Sequence, residues 1–344
     1  MQRLLKDHFF SSISSTNRNF LGLHRDNLPS ALSLASSESR IALKPTRIFL
    51  YRSGIRSKGG NNLRARCFSG SNFKYKWEMS VGLVKGLWES IQWAFLANPP
   101  TWESAIFANA IIFLVAAQLL RAGLTGAGIA HAFALAVLTW RAFSGQGLFL
   151  VAIFFTMGTA ATKLKIKQKE VEGTAEKRKG RRGPSSVWGS ASAGIFCALF
   201  AIAGYGGPSF SSVWKLAFVA SFCTKLSDTM SSEIGKAYGK TTYLVTTLQI
   251  VPRGTEGAVS VEGTTAGLVA SVFLSGAAYA LNQVDGQGAI VCVIASQLAN
   301  LFESFLGASL QGRSGYEWLN NDVVNILNTA VGAALSILSR SLMS

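Results

Sequence analysis

Acidic side chains in the last third of the sequence are the residues best suited to chemistry. Six of them lie in or beside long uncharged stretches of the kind that cross membranes: Asp228, Glu233, Glu256, Glu262, Glu303 and Asp322. Basic residues are interleaved with them: Lys225, Lys236, Lys240, Arg253 and Arg313. A carboxylate at membrane depth is costly and is retained only with a partner or a function. The pattern therefore predicts a polar site, and the alternative is that some acids lie in loops at the membrane edge.

The segment from residue 228 to residue 240 combines carboxylates, hydroxyls, glycines and lysines. Asp228 and Ser232 share one face of a helix, and Glu233 lies only slightly off that face. Hard oxygen ligands of this kind suit Mg²⁺, which proteins bind through one or two carboxylates plus substrate phosphates. Four residues would let the backbone approach a phosphate and neutralise its charge: Gly235, Gly239, Lys236 and Lys240. The structural alternative is a polar helix end capped by glycine.

Two further polar blocks precede predicted helix starts. The first covers residues 253–257 and 262–267, and the second covers residues 320–322. A helix N-terminus presents unpaired N–H groups and the positive end of the helix dipole, which suits phosphate. Ordinary N-capping by Thr264 and by Asn321 is the alternative for the two blocks.

These blocks give three sets of candidate site residues. The predicted metal ligands are Asp228 and Glu262. The predicted catalytic carboxylates are Asp228, Glu233, Glu256 and Glu262. The predicted substrate- and phosphate-binding residues are Lys225, Lys236, Lys240, Arg253, Gly235, Gly239, Thr264 and Arg313. The further candidates are Glu303 and Asp322.

The uncharged stretches that must position these residues predict an all-α integral membrane protein, a polytopic bundle of seven or eight transmembrane helices. A span needs about 20 mostly apolar residues. Five stretches lack Asp, Glu, Lys, Arg and His: 104–120, 142–162, 187–214, 263–284 and 323–339. Residues 122–140 contain only His131, which we interpret as a packed or hydrogen-bonded core residue rather than a phospho-acceptor. Residues 286–302 form another candidate span, and 212–230 is interrupted by three charges.

The first 70 residues differ in composition from the rest of the chain. They hold twelve Lys or Arg and twelve Ser but only three acids. Such a leader is typical of a transit peptide, and we predict a disordered one over residues 1–67. A basic arm that binds nucleic acid or lipid headgroups is the alternative. Without the leader the chain has 21 basic and 14 acidic residues, so the net charge of +16 gives no reason to expect a nucleic-acid partner.

The rest of the chain divides into two predicted parts. Residues 73–103 predict an interfacial amphipathic segment with aromatic anchors, and residues 104–341 predict a polytopic transmembrane catalytic domain. Within the latter, the loop 163–182 contains nine Lys or Arg, which favours the stromal or matrix side. Contact with anionic headgroups or substrate phosphates is the alternative. Two pairs of spans then return the chain to this side twice, so we expect the acids from 228 to 322 to converge there.

These motifs resemble those of known membrane enzymes. The run 228–240 and the run 262–267 resemble conserved elements of the polyprenol kinases and the CDP-diacylglycerol synthases. Four strings resemble more closely a family of multispanning proteins that includes the plant phytyl-phosphate kinase of tocopherol (vitamin E) synthesis: 180–184, 227–235, 254–260 and 303–308. This second resemblance covers about residues 100–344.

The resemblance implies a kinase that converts phytyl phosphate, an isoprenoid phosphate, to phytyl diphosphate. The donor would be a nucleoside triphosphate, with CTP favoured, and the site would be a chloroplast membrane, the plastid envelope. The residues alone also allow a lipid-phosphate cytidylyltransferase or an ion-coupled membrane transporter, and the mitochondrial inner membrane is the alternative location. Membrane lipids would surround the chain in every case, and the oligomeric state stays open.

Overall fold

The computed structural model of the chain describes residues 70–343, so the predicted transit peptide at 1–67 lies outside the described residues. The described part contains ten α-helices and one pair of short strands. The first six helices are α1 (Gly70–Leu96), α2 (Trp102–Val115), α3 (Ala117–Gly123), α4 (Gly126–Lys163), α5 (Ile166–Val171) and α6 (Pro184–Ile202). The remaining elements are α7 (Ser211–Tyr238), β1 (Tyr243–Leu244), β2 (Ala258–Val259), α8 (Val261–Ala280), α9 (Gly286–Ser309) and α10 (Asn321–Met343).

Helix α4 reverses direction in its middle. Ser144 has non-helical backbone angles, with φ of 61° and ψ of −168°. A Cβ atom placed on Gly123, just before α4, would lie 2.6 Å from atoms of both Phe155 and Thr159, near the end of α4. A straight helix of this length would separate its ends by about 50 Å, because each residue adds 1.5 Å. The two halves are therefore antiparallel, and they correspond to the predicted spans 122–140 and 142–162.

Several helices have the length and hydropathy needed to cross a membrane. Among the described residues there are five: Gly126–Lys163, Pro184–Ile202, Val261–Ala280, Gly286–Ser309 and Asn321–Leu342. Helices α2 and α3 meet at 78° and add a sixth if the bent pair is one span. The prediction of an all-α polytopic bundle is confirmed, and the predicted count of seven or eight spans is not.

Helix α7 is the centre of the bundle. It contacts α4, α6, α8, α9 and α10, and Phe218, Phe222 and Leu226 on it are fully or almost fully buried. The helices around it expose large apolar side chains such as Phe273 on α8 and Ile294 on α9. This distribution suits a helix that carries charges, because its neighbours shield those charges from lipid while their own outer surfaces remain apolar.

Two segments outside the bundle core complete the described chain. Strands β1 and β2 pair antiparallel, with Tyr243 opposite Val259, and so tie down both ends of the loop between α7 and α8. Helix α1 covers most of the predicted interfacial segment, and Leu83, Val84 and Trp88 on it are exposed. A location of α1 at the membrane interface stays a prediction.

Candidate active site

A buried lysine on α7 organises the first part of the site. Lys225 Nζ lies 2.5 Å from Asp228 Oδ2 and donates a hydrogen bond of 2.5 Å to Asn325 Oδ1 on α10. The sequence places Lys225 and Asp228 three residues apart, which brings them together on one helix face. The side chain of Lys225 is 7% exposed and that of Asp228 is 17% exposed. The pair is therefore mostly buried, and the Asp228 side chain keeps some exposure.

A second carboxylate lies beside this pair. Glu303 on α9 accepts a hydrogen bond from Asn328 Nδ2 on α10, and its carboxyl is near enough to the Asp228 carboxyl and the Lys225 ammonium to interact with both electrostatically. Neighbouring carboxylates repel each other, so a proton or a cation near them stabilises the pair. The structure thus places Glu303, for which the sequence indicated no partner, beside Asp228 and Lys225.

A chain of neutral polar side chains supports Glu303 from inside the bundle. Asn328 Nδ2 also donates to Asn300 Oδ1 at 3.2 Å, and Asn300 Nδ2 donates to Ser227 Oγ at 2.8 Å. Gln297 Nε2 then donates to Ser227 Oγ and to Ser271 Oγ, each at 3.1 Å. These bonds connect α7, α8, α9 and α10 through the polar centre of the bundle. They hold the carboxylates in fixed positions, as a supporting shell of hydrogen bonds does in other sites.

The other predicted catalytic acid on α7 has a different partner. Glu233 Oε2 lies 2.5 Å from Lys169 Nζ, and Lys169 is fully buried. Lys169 Nζ also donates to the carbonyl oxygens of Thr162 at 2.8 Å and Ala161 at 3.4 Å. All three N–H donors of Lys169 therefore have acceptors. This pair could not be predicted from the sequence, because Lys169 occurs among the many cations of a basic loop.

That basic loop folds onto the same end of α7. Lys165 Nζ donates to the carbonyl oxygen of Ala237 at 3.1 Å and lies 3.9 Å from the ring centre of Tyr238. Two looser ion pairs join the loop to predicted phosphate-binding residues: Glu176 with Lys236 at 3.8 Å, and Glu172 with Arg253 at 3.9 Å. Lys165, Glu172 and Glu176 of the loop thus contact the end of α7 or predicted phosphate-binding residues.

Glu256 belongs to the same charged region. Burial raises the pKa of its carboxyl above the usual 4.5, and the nearby carboxylates of Glu176 and Asp228 raise it further, whereas Lys236 lowers it. The neighbouring Gly257, with φ of +73°, packs against the backbone of α9 at Ser304 and Ala308. The loop that carries Glu256 is therefore held against the end of α9 that carries Glu303.

The predicted phosphate-binding glycines have a packing role in the structure. A Cβ atom on Gly235 would lie 3.2 Å from Ser260 Oγ, and one on Gly239 would lie 3.0 Å from the same atom. Close contact between α7 and the start of α8 thus accounts for both glycines, and phosphate binding by them stays a prediction. Lys240 and Arg313 are exposed.

Two capping assignments from the sequence are wrong. Ser260 caps α8, because its Oγ accepts a hydrogen bond from the Gly263 amide at 3.1 Å. Asn320 caps α10, because its Oδ1 accepts from the amides of Asp322 and Val323. The predicted caps, Thr264 and Asn321, lie after these residues. Both helices begin earlier than the apolar pattern indicates.

Four further predicted residues have mixed outcomes. Asp322 lies at the start of α10 and packs against Gly189 on α6, at the same end of the bundle as Asn325. Glu262 is half-buried at the start of α8, and Thr264 is exposed there. His131 is hydrogen-bonded as predicted, since Trp188 Nε1 donates to its Nδ1 at 3.1 Å. It is exposed on the outside of the bundle, so its predicted core position is wrong.

A metal site made by the protein alone is absent from the described residues. No group of three or more His, Cys, Asp or Glu side chains there could hold a metal ion. Within that region Asp228 has Lys225 as its ion-pair partner and Glu303 as an electrostatic neighbour, whereas the other predicted ligand, Glu262, is half-buried at the start of α8. Two carboxylates fit Mg²⁺ only where phosphate and water complete its shell.

The fold and this cluster together define a class of protein: a polytopic helical membrane protein with a charged site inside an apolar bundle. The chain belongs to the family described as integral membrane protein DUF92, which matches residues 109–333.

Two relatives extend this comparison. The chain is 59% identical over 239 residues to Protein VTE6, chloroplastic, of Arabidopsis thaliana, an alignment that covers 70% of this chain and 72% of that protein. It is 48% identical over 260 residues to an uncharacterized membrane protein of Synechocystis, covering 75% of this chain and 96% of the relative. No solved structure matches the chain.

Proposed function

We propose that this protein is an isoprenoid-phosphate kinase of a chloroplast membrane, which converts phytyl phosphate to phytyl diphosphate for tocopherol synthesis. The motif resemblance to the family of the plant phytyl-phosphate kinase supports the reaction. The name of the Arabidopsis relative, which calls that protein chloroplastic, supports the compartment. The donor is a nucleoside triphosphate, and the resemblance favours CTP.

One observation carries the proposal. Lys225, Asp228 and Glu303 form a charged cluster inside a bundle whose outer surface is apolar, and amides from α10 contact Lys225 and Glu303. A substrate with a long hydrocarbon tail and a phosphate head matches that division, because the tail can stay among apolar helices while the phosphate meets the charges.

The proposed reaction requires little covalent catalysis by the protein. An oxygen of the acceptor phosphate forms a bond to the γ-phosphorus of the donor, and the bond from that phosphorus to the bridging oxygen breaks, releasing the nucleoside diphosphate. The acceptor is already ionised, so no strong general base is required. Catalysis of such a transfer rests on positioning and on neutralising charge.

The residues of the cluster can position the substrates and neutralise their charge. Lys225 brings a positive charge that Asp228 and Asn325 orient. Asp228 and Glu303 would hold Mg²⁺ together with substrate phosphates and water. When bound, Mg²⁺ neutralises the negative charge that two reacting phosphate groups bring together. His131 has no place in the reaction, because it is exposed and hydrogen-bonded to Trp188.

Product analysis with labelled donor tests the proposal. Purified protein is incubated with phytyl phosphate, Mg²⁺ and CTP that is labelled either at the γ-phosphate or at the α-phosphate, and the lipid products are separated. We expect phytyl diphosphate carrying the γ-label and none carrying the α-label. A lipid that carries the α-label, with release of pyrophosphate, would show a cytidylyltransferase. The absence of any labelled lipid with all four common triphosphates would refute both enzymes.

A further inference from the structure

The backbone of Arg182 makes two hydrogen bonds that fix the position of this residue. Its amide donates to the Gly123 carbonyl oxygen at 2.8 Å, and its own carbonyl oxygen accepts from the Thr125 amide at 3.0 Å. These two bonds fasten the end of the basic loop to the chain segment that enters α4. The position of Arg182 at the start of α6 is therefore fixed from both sides.

The side chain of Arg182 points into the bundle between α4 and α7. Its guanidinium carbon lies 5.3 Å from the ring centre of Phe154. A Cβ atom on Gly158, one turn further along α4, would lie 2.9 Å from Arg182 Nη2 and 3.6 Å from the Thr229 methyl group. Any side chain at Gly158 would thus collide with the guanidinium. The second half of α4 leaves room for this cation directly beside the residue that follows Asp228.

Three carboxylates surround Arg182 without pairing with it. Glu176, Glu233 and Asp228 each act electrostatically on its guanidinium. Each of these carboxylates has a lysine as its ion-pair partner: Glu176 has Lys236, Glu233 has Lys169 and Asp228 has Lys225. Among the residues that the structure describes, the guanidinium contacts the Phe154 ring and has no ion-pair or hydrogen-bond partner. A guanidinium has five N–H donors in a fork that fits phosphate oxygens.

Membrane topology alone does not account for this arrangement. A cation that only marks the side of a membrane works equally well when it is exposed to water. The neighbouring Arg181 is exposed in this way, whereas Arg182 is half-buried over an aromatic ring. Partial burial of N–H donors that have no acceptor among the described residues costs free energy, which a bound acceptor would recover.

We propose that Arg182 binds a phosphate group of the substrates through its guanidinium fork, next to the Lys225–Asp228–Glu303 cluster. This inference rests on the proposed function for the identity of the substrates. Its ligand chemistry, a phosphate or diphosphate group, is common to the lipid phosphate and to the nucleotide. Arg182 thus supplies directional contacts that Lys169 cannot, because all three donors of Lys169 are occupied, and Lys225 already donates to Asp228 and Asn325.

Kinetic analysis of Arg182→Lys and Arg182→Gln tests the proposal, with Arg181→Gln as the matched control. Arg182→Lys keeps the charge and loses the fork. For both Arg182 variants we expect KM to rise about 10- to 100-fold, the range for loss of hydrogen bonds to a charged group. The KM of Arg181→Gln should equal that of the wild type. A rise in KM for phytyl phosphate only assigns Arg182 to the lipid phosphate, and a rise for the nucleotide only assigns it to the donor. An Arg182→Lys enzyme with the KM of the wild type for both substrates would overturn the proposal.

A binding measurement separates this inference from the proposed reaction and needs no variant. The purified full chain is treated with phenylglyoxal, which modifies arginine, with and without inorganic pyrophosphate, and the extent of modification is read for each arginine by mass spectrometry. We expect pyrophosphate to protect Arg182 and to leave Arg181 reactive. Equal modification of Arg182 in both samples would refute phosphate binding there. Protection of Arg182 in a protein that does not phosphorylate phytyl phosphate would refute the proposed function and keep the site.

Discussion

The ion pair between Lys169 and Glu233 makes a quantitative prediction about the stability of the charged end of the bundle. Lys169 is fully buried and the Glu233 side chain is 4% exposed, with 2.5 Å between Nζ and Oε2. Lys169→Met preserves the unbranched shape of the side chain but leaves a buried carboxylate without its cation. Breaking a buried pair in this way costs about 3–5 kcal/mol. Replacing both partners by Met should recover most of this loss, because no charge is then left unpaired.

Thermal unfolding of the purified protein in detergent, followed by tryptophan fluorescence, measures the effect. A loss of about 3–5 kcal/mol corresponds to a fall of about 6–20 °C in Tm, at about 2–4 °C for each kcal/mol. Lys167→Met is the control, since Lys167 is exposed two residues earlier on the same loop. Equal Tm values for Lys169→Met and Lys167→Met would refute the assignment of a structural role to the pair. A double variant as unstable as Lys169→Met would refute the explanation by an unpaired charge.

Three further outcomes follow from single contacts. Asn328→Asp places a carboxylate where an amide N–H now meets Glu303, so we expect lower Tm and loss of turnover at neutral pH, whereas an unchanged enzyme would contradict this contact. Gly158→Val pushes the guanidinium of Arg182 aside and should raise KM as Arg182→Gln does, measured in the same assay. The pKa of Glu256 is raised in the folded chain, so its ionisation opposes folding as the pH rises through that pKa. Glu256→Gln should therefore have a higher Tm than the wild type at pH 7.5, with the difference lost below the ordinary value of 4.5, and a difference that persists in acid would contradict the sign.

The parts of the site that depend on local spacing can be derived from the sequence. Lys225 and Asp228 are both predicted site residues. Their contact was not predicted, although a spacing of three residues on one helix brings them together. The reversal of α4 at Ser144 matches the division between two predicted spans, because each half has about the length of a single span. Local pattern is sufficient in both cases, since the partners are close in sequence or the feature is a run of one residue type.

Such patterns do not predict contacts between segments that are far apart in sequence. Lys167 and Lys169 have the same residue type and the same surroundings in sequence, yet one is exposed and the other is fully buried. The difference depends on Glu233, which lies 64 positions away. The contact between Glu303 and Asn328 likewise requires the packing of α9 against α10, and a single sequence does not record which helices are neighbours.

The central claim is that the Lys225–Asp228–Glu303 cluster performs phosphoryl transfer to a lipid phosphate, and the turnover of Asp228→Asn tests it most directly. Asparagine keeps the shape of the side chain but removes the charge that binds a hard cation and pairs with Lys225. With γ-labelled CTP, phytyl phosphate and Mg²⁺, we expect the variant to be inserted and folded like the wild type and to lose at least about 100-fold in kcat. His131→Ala, the control outside the cluster, should keep its turnover. Turnover close to that of the wild type in a folded Asp228→Asn would contradict the claim.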